Sequence, residues 1–203
     1  MFSNDFDVAD RVKTTDHNEV NQEIDRIFLD LYPDGTTKAL DRAFGDADLI
    51  YRGEMPGFHA CDTAYHDIQH VLDVTLAMAR LIDGYERSRV ATDPMGKDLF
   101  QLGVITALFH DVGYIRRESE THAQNGAEFT LIHVSRGAQF LKEYLPRVGM
   151  PEMADIAADL VHFTGYERQV KSIQVPSLTY RLLGNLLGSA DIIAQMADRC
   201  YLE

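Results

Sequence analysis

Residues 97–111 read "KDLFQLGVITALFHD". Beyond its polar start the run is strongly apolar and has helical length. A helix with no polar face must be enclosed by other elements, so this one needs a shell of partners. It also carries an imidazole and a carboxylate, His110 and Asp111, to its far end, where Gly113 lets the chain turn away.

The shell has the same periodicity. Residues 18–31 put Val20, Ile24, Ile27, Phe28 and Leu31 on one stripe before Pro33 and Gly35 break the helix. Residues 37–51 form a second helix, weakened by Gly45. After the loop "GEMPGFHACDTA", Thr63 is the expected N-cap of a helix that runs to about Glu86. That helix carries His66 and His70, four apart and therefore on one face. Beyond the 97–111 run, "AEFTLIHVSRGAQFLKEYL" reads as one helix to about Leu145, capped by Thr121 or Asn125, with His133 in its middle. Pro151 opens a helix over 152–163, and "PSLTYRLLGNLLGSADIIAQMADRCYLE" closes the sequence as one or two helices. Its last residues, "ADRCYLE", still read as helical, as expected of a chain that stops inside an element. No run reads as a strand, a repeat or a low-complexity segment. The expected architecture is all-α, a single-domain helical bundle of about seven helices over 1–203. Residues 1–62 supply the N-terminal helices and 63–195 the core.

With 203 residues, 45% of them hydrophobic and 25% charged, the chain is long enough to bury such a core. The net charge is −13, with only 19 Lys and Arg. That argues against a nonspecific nucleic-acid binder, which needs a basic surface, yet leaves room for a small phosphorylated ligand at a local cation. Cys61 and Cys200 are far apart, and the pattern fits reduced thiols in a cytoplasmic protein. The N-terminus lacks a signal-peptide pattern, and no apolar run approaches the ~18 residues of a membrane helix.

Polar residues recur in the apolar helices: His70, His110, Asp111, His133, His162 and Asp191. A lone histidine on an apolar face is usually a satisfied core residue, and a lone Asp near a helix end is usually a cap. The set weighs differently. Each unpartnered burial costs ~1–3 kcal/mol, against the ~5–15 kcal/mol that holds a whole domain together. Convergence on cations removes every penalty at once. His, Asp and solvent oxygen suit Fe, Zn, Mn or Mg rather than a thiolate site. Asp111, flanked by ligands on both sides, is placed to bridge two ions. His110 and Asp111 lie ~100° apart on a regular helix, so they converge only on a ligand at the helix end.

The ordered pattern H…HD…H…H…D resembles the HD superfamily of metal-dependent phosphohydrolases, over about residues 64–195. The stretch Tyr65-His66-Asp67-x-x-His70-x-x-Asp73-Val74 is similar to the "YHNxxHxxDV" signature of its cyclic-nucleotide phosphodiesterase branch, with Asp67 in place of Asn. After HD this chain has "HDVGYIRRE" where animal phosphodiesterases have "HDxxHxG". The resemblance implies a helical bundle of the HD/PDEase type. It implies that His70, His110, Asp111 and Asp191 hold a first divalent metal. Asp111, His133 and His162 would then hold a second. It implies His66 as the acid that protonates the leaving oxygen, and hydrolysis of a phosphate mono- or diester, nucleotide-like, by a metal-bridging hydroxide. Asp67 and Asp73 either orient His66 or are solvent-facing charges. Arg116 and Arg117 either contact substrate phosphate or lie in a solvated loop. Two other readings stay open: an HD-fold di-iron oxygenase, and a non-catalytic metal-binding regulatory module.

Overall fold

The structure, a computed structural model, describes residues 5–88, 90 and 93–198. Among these residues it is all-helical, with seven α-helices, six short 3-10 turns that all follow α4, and no strand. The helices are α1 (His17–Leu31), α2 (Lys38–Tyr51), α3 (Ile68–Ser88), α4 (Lys97–Leu108), α5 (His133–Tyr144), α6 (Ala154–Leu160) and α7 (Leu178–Ala197).

The apolar run becomes α4, the central helix, in which Phe100, Leu102, Val104, Ile105, Ala107 and Leu108 are fully buried. Gly103 permits the close approach of its neighbours: a Cβ there would strike Met78 and Ile82 of α3 and Leu183 of α7. Phe28 of α1 packs on Phe100 with ring centroids 5.3 Å apart. Phe140 of α5 meets Phe109 at 5.0 Å. Truncating a ring such as Phe100 to Ala would cost ~3–5 kcal/mol, because a packed interior cannot close over the void. No described helix is long and apolar enough to cross a membrane.

Helix boundaries depart from the expected ones where the polar residues lie. The helix after Thr63 begins only at Ile68, so His66 sits in the preceding bend and does not share a helix face with His70. Thr63 is not the cap; its hydroxyl donates to the His66 carbonyl. The cap is Asp67, whose Oδ1 accepts the His70 amide at 3.0 Å. α4 stops at Leu108, and His110 and Asp111 lie in the turn that follows. The long helix expected up to Leu145 is broken into a 3-10 turn, Gly126–Phe129, and α5. His133 is therefore the first residue of α5 rather than a mid-helix residue. His162 lies in the 3-10 turn Val161–Phe163 that continues α6. α7 is a single helix, capped by Ser177, that ends at Ala197. The end of the "ADRCYLE" run and Cys200 lie outside the described residues.

Candidate metal centre

Four elements deliver the cluster. The first turn of α3 holds His70, and the turn after α4 holds His110 and Asp111. Mid-α7 holds Asp191, and the start of α5 holds His133. Gly113 makes this closeness possible, since a Cβ there would collide with the His133 carbonyl. Glu167, from a distant loop, caps α5 by accepting the amides of Val134 (2.9 Å) and Ser135 (3.1 Å).

His70 Nε2 lies 3.6 Å from Asp111 Oδ2 and 3.4 Å from Asp191 Oδ1. His110 Nε2 lies 3.2 Å from Asp111 Oδ2 and 3.8 Å from Asp191 Oδ1. Two ligand atoms about 2.1 Å from one cation, at tetrahedral or octahedral angles, stand about 3.0–3.4 Å apart, so these separations suit a shared ion. His70, His110 and Asp191 form one group of ligand atoms within 4.8 Å of one another; His66, His70 and Asp111 form another. The tautomers agree. His110 Nδ1 donates to the Ala107 carbonyl at 2.7 Å, which turns Nε2 into the cluster. That Nε2 is buried and has no hydrogen-bond partner among the described residues. An orphaned nitrogen of this kind, held by a carbonyl behind it, is the usual setting of a ligating histidine. His133 repeats the device, with Nδ1 2.7 Å from the Thr130 carbonyl and Nε2 3.8 Å from Asp111 Oδ1.

Asp111 thus divides its oxygens. Oδ2 faces His66, His70 and His110, and Oδ1 faces His133. Burial would raise its pKa, but the His110 and His66 imidazoles hold it well below the usual carboxylate range. Burial would likewise lower His110, and the adjacent Asp111, with Asp191, carries it up to about 9.

His66 Nδ1 sits 2.7 Å from Asp111 Oδ2. Its side chain is 32% exposed, the most open imidazole around Asp111. Its ring stacks on Tyr114 (4.3 Å, 18°), which stacks in turn on His133 (4.2 Å, 18°). Sequence reasoning passed over Tyr114. Its place three residues after Asp111 was a signal, but an aromatic there reads equally as core.

His162 is buried, yet it joins neither ligand group. Its Nδ1 has no hydrogen-bond partner among the described residues. Burial, and then Arg168, lower its pKa and keep it neutral. Arg116 and Arg117 both have carboxylate partners. Arg116 is held by Asp62 (2.8 Å) and the Ala123 carbonyl. Arg117 lies over the Phe58 ring and 3.6 Å from Glu143. Neither Asp67 nor Asp73 is a freely solvated charge: Asp67 caps α3, and burial pushes Asp73 up to about 6.

The arrangement is a buried His/Asp cluster that could hold a metal ion. The chain matches no protein-family model, no curated protein and no solved structure.

Proposed function

We propose that the chain is a metal-dependent phosphohydrolase of the HD type that cleaves a small, nucleotide-like phosphate mono- or diester. One observation carries this reading: a single buried carboxylate, Asp111, presents one oxygen to His66, His70 and His110 and the other to His133. That division suits a carboxylate shared between two cations.

His70, His110, Asp111 and Asp191 would hold one divalent ion, of Fe, Mn, Zn or Mg. Asp111 and His133 would contribute to a second, with His162, which joins neither ligand group, as the further ligand that the sequence pattern alone implies. Bound there, such ions polarise phosphoryl oxygens and acidify water. His66, with Nδ1 bound to Asp111 and its ring fixed by Tyr114, keeps Nε2 to carry a proton to the leaving oxygen. His70, His110 and Asp111 are themselves buried, which limits the water that reaches them.

The test is hydrolysis of p-nitrophenyl phosphate and bis(p-nitrophenyl) phosphate by protein loaded with Mn or Fe. The reading expects metal-dependent release of nitrophenol, abolished by Asp111→Ala. His66→Gln should lower kcat ~10²–10⁴-fold with metal content kept. A metal-loaded protein inert to such esters, or one that consumes oxygen with substrate instead, would overturn it.

A further inference from the structure

The segment ahead of α1 folds back on itself through an isolated bridge between Phe6 and Lys13. Asp7 is buried in its turn, where Oδ1 accepts the Arg11 amide at 2.7 Å and the Val12 amide at 3.2 Å. Arg80 of α3 donates to Oδ2 at 2.6 Å. One carboxylate therefore closes the turn and pins it to α3.

Pinned there, the segment walls a cavity of about 240 Å³ together with α3 and α7. Phe6, Val8, Leu76, Ala77, Leu81 and Ile193 give it a mainly apolar lining. An apolar cavity of ~150 Å³ already holds benzene, so this one has room for a small organic molecule. Small-molecule sites pair such a lining with a few polar groups that fix orientation.

The polar groups here are unequal. Arg80, the one basic residue in the lining, is occupied by Asp7. Asp73 lies seven residues earlier on α3, about 10 Å along the axis at 1.5 Å per residue. It also lines a neighbouring cavity of about 210 Å³, whose walls include Asp67 and no Lys or Arg. An anion entering the apolar cavity would meet carboxylates and a guanidinium already paired. A neutral chain would match the walls and leave Asp73 without a counter-charge. An ammonium on an apolar body matches both.

We propose that this cavity is a binding site for a hydrophobic amine, with the ammonium on Asp73 and an aliphatic or aromatic body between α3 and α7. The site stands apart from the phosphohydrolase reading and does not depend on it.

The experiment is calorimetry of the full chain with hexylammonium, methylammonium, hexanol and hexanoate. Hexylammonium should bind at least tenfold tighter than methylammonium, with a negative heat-capacity change. It should bind about tenfold tighter than hexanol, and hexanoate should bind most weakly. In Ala77→Phe, which fills the cavity, the gain from the longer chain collapses. In Asp73→Asn the amine loses its advantage over the alcohol. Backbone amide shifts in the wild-type protein locate the site without any substitution: hexylammonium should move Ala77, Leu81 and Ala194 more than the residues of α5. Hexanol or hexanoate binding as tightly as hexylammonium overturns the amine assignment, as does an Asp73→Asn variant that keeps the preference. No binding of hexylammonium, or shifts confined to other parts of the chain, overturns the site.

Discussion

The Asp67 carboxylate accepts the backbone amide of His70 at 3.0 Å, so the first turn of α3 is fixed by the residue that follows His66. This bond ends the bend that holds His66 and begins the helix that aims His70. One short side chain therefore separates the two imidazoles into different elements and still points both at Asp111 Oδ2.

Asp67→Ala removes this cap and should lower stability by ~1 kcal/mol. Asp67→Ser should recover most of it. Thermal unfolding of the two variants checks the order. Metal affinity, measured by titration, should fall in the Ala variant as His70 loses its fixed register.

Tyr114 is held between His66 and His133 by parallel rings on both sides. Each aromatic pair is worth ~0.5–1.5 kcal/mol beyond area burial. Tyr114→Leu should therefore destabilise by ~1–3 kcal/mol and shift the ring-proton resonances of both histidines. Tyr114→Phe should keep those shifts near the wild-type positions. Unchanged resonances in the Leu variant would refute the stack.

Three glycines should respond in graded order to Ala. At Gly113 the new Cβ would collide with the His133 carbonyl, and at Gly137 it would press on the His110 carbonyl at 3.2 Å. At Gly45 nothing lies within 4 Å. Gly113→Ala should cost ~1–3 kcal/mol or more. Gly137→Ala should cost less, and Gly45→Ala should stabilise α2 by ~0.5–1 kcal/mol. Denaturant unfolding of the three variants gives the ranking.

Burial and the neighbouring Asp41 push Asp25 of α1 up to about 7 from 3.8. The folded chain thus keeps a proton that the unfolded chain releases, and stability falls as pH rises from about 4 to about 7. Asp25→Asn removes this loss. Once solvent screening is discounted, it should stabilise the protein by ~1–2 kcal/mol at pH 8 and by little at pH 4. Unfolding curves at the two pH values check the sign.

The helices were legible because apolar stripes such as Val20, Ile24, Ile27 and Phe28 are local signals, and α4 declared its central place by having no polar face. The candidate cluster was legible as a set of residue types. Its local backbone was not. α4 ends before His110, and the helix expected to span His133 breaks, because of contacts made across the fold. Gly113 packs against the His133 carbonyl, and Glu167 caps α5 from 33 positions away. Helical propensity in "AEFTLIH" carries no trace of either. Thr63 was read as the cap in place of Asp67 for a related reason: a capping carboxylate and an exposed one look alike until the start of the helix is known.

Metal content tests the shared carboxylate of Asp111 most directly. Elemental analysis of protein purified without chelators or an affinity metal should find about two divalent ions per chain. The number should drop to about one in His133→Ala and to none in Asp111→Ala, with the helical circular dichroism signal retained. A folded wild-type protein without metal, or an Asp111→Ala variant that keeps its full complement, would contradict it.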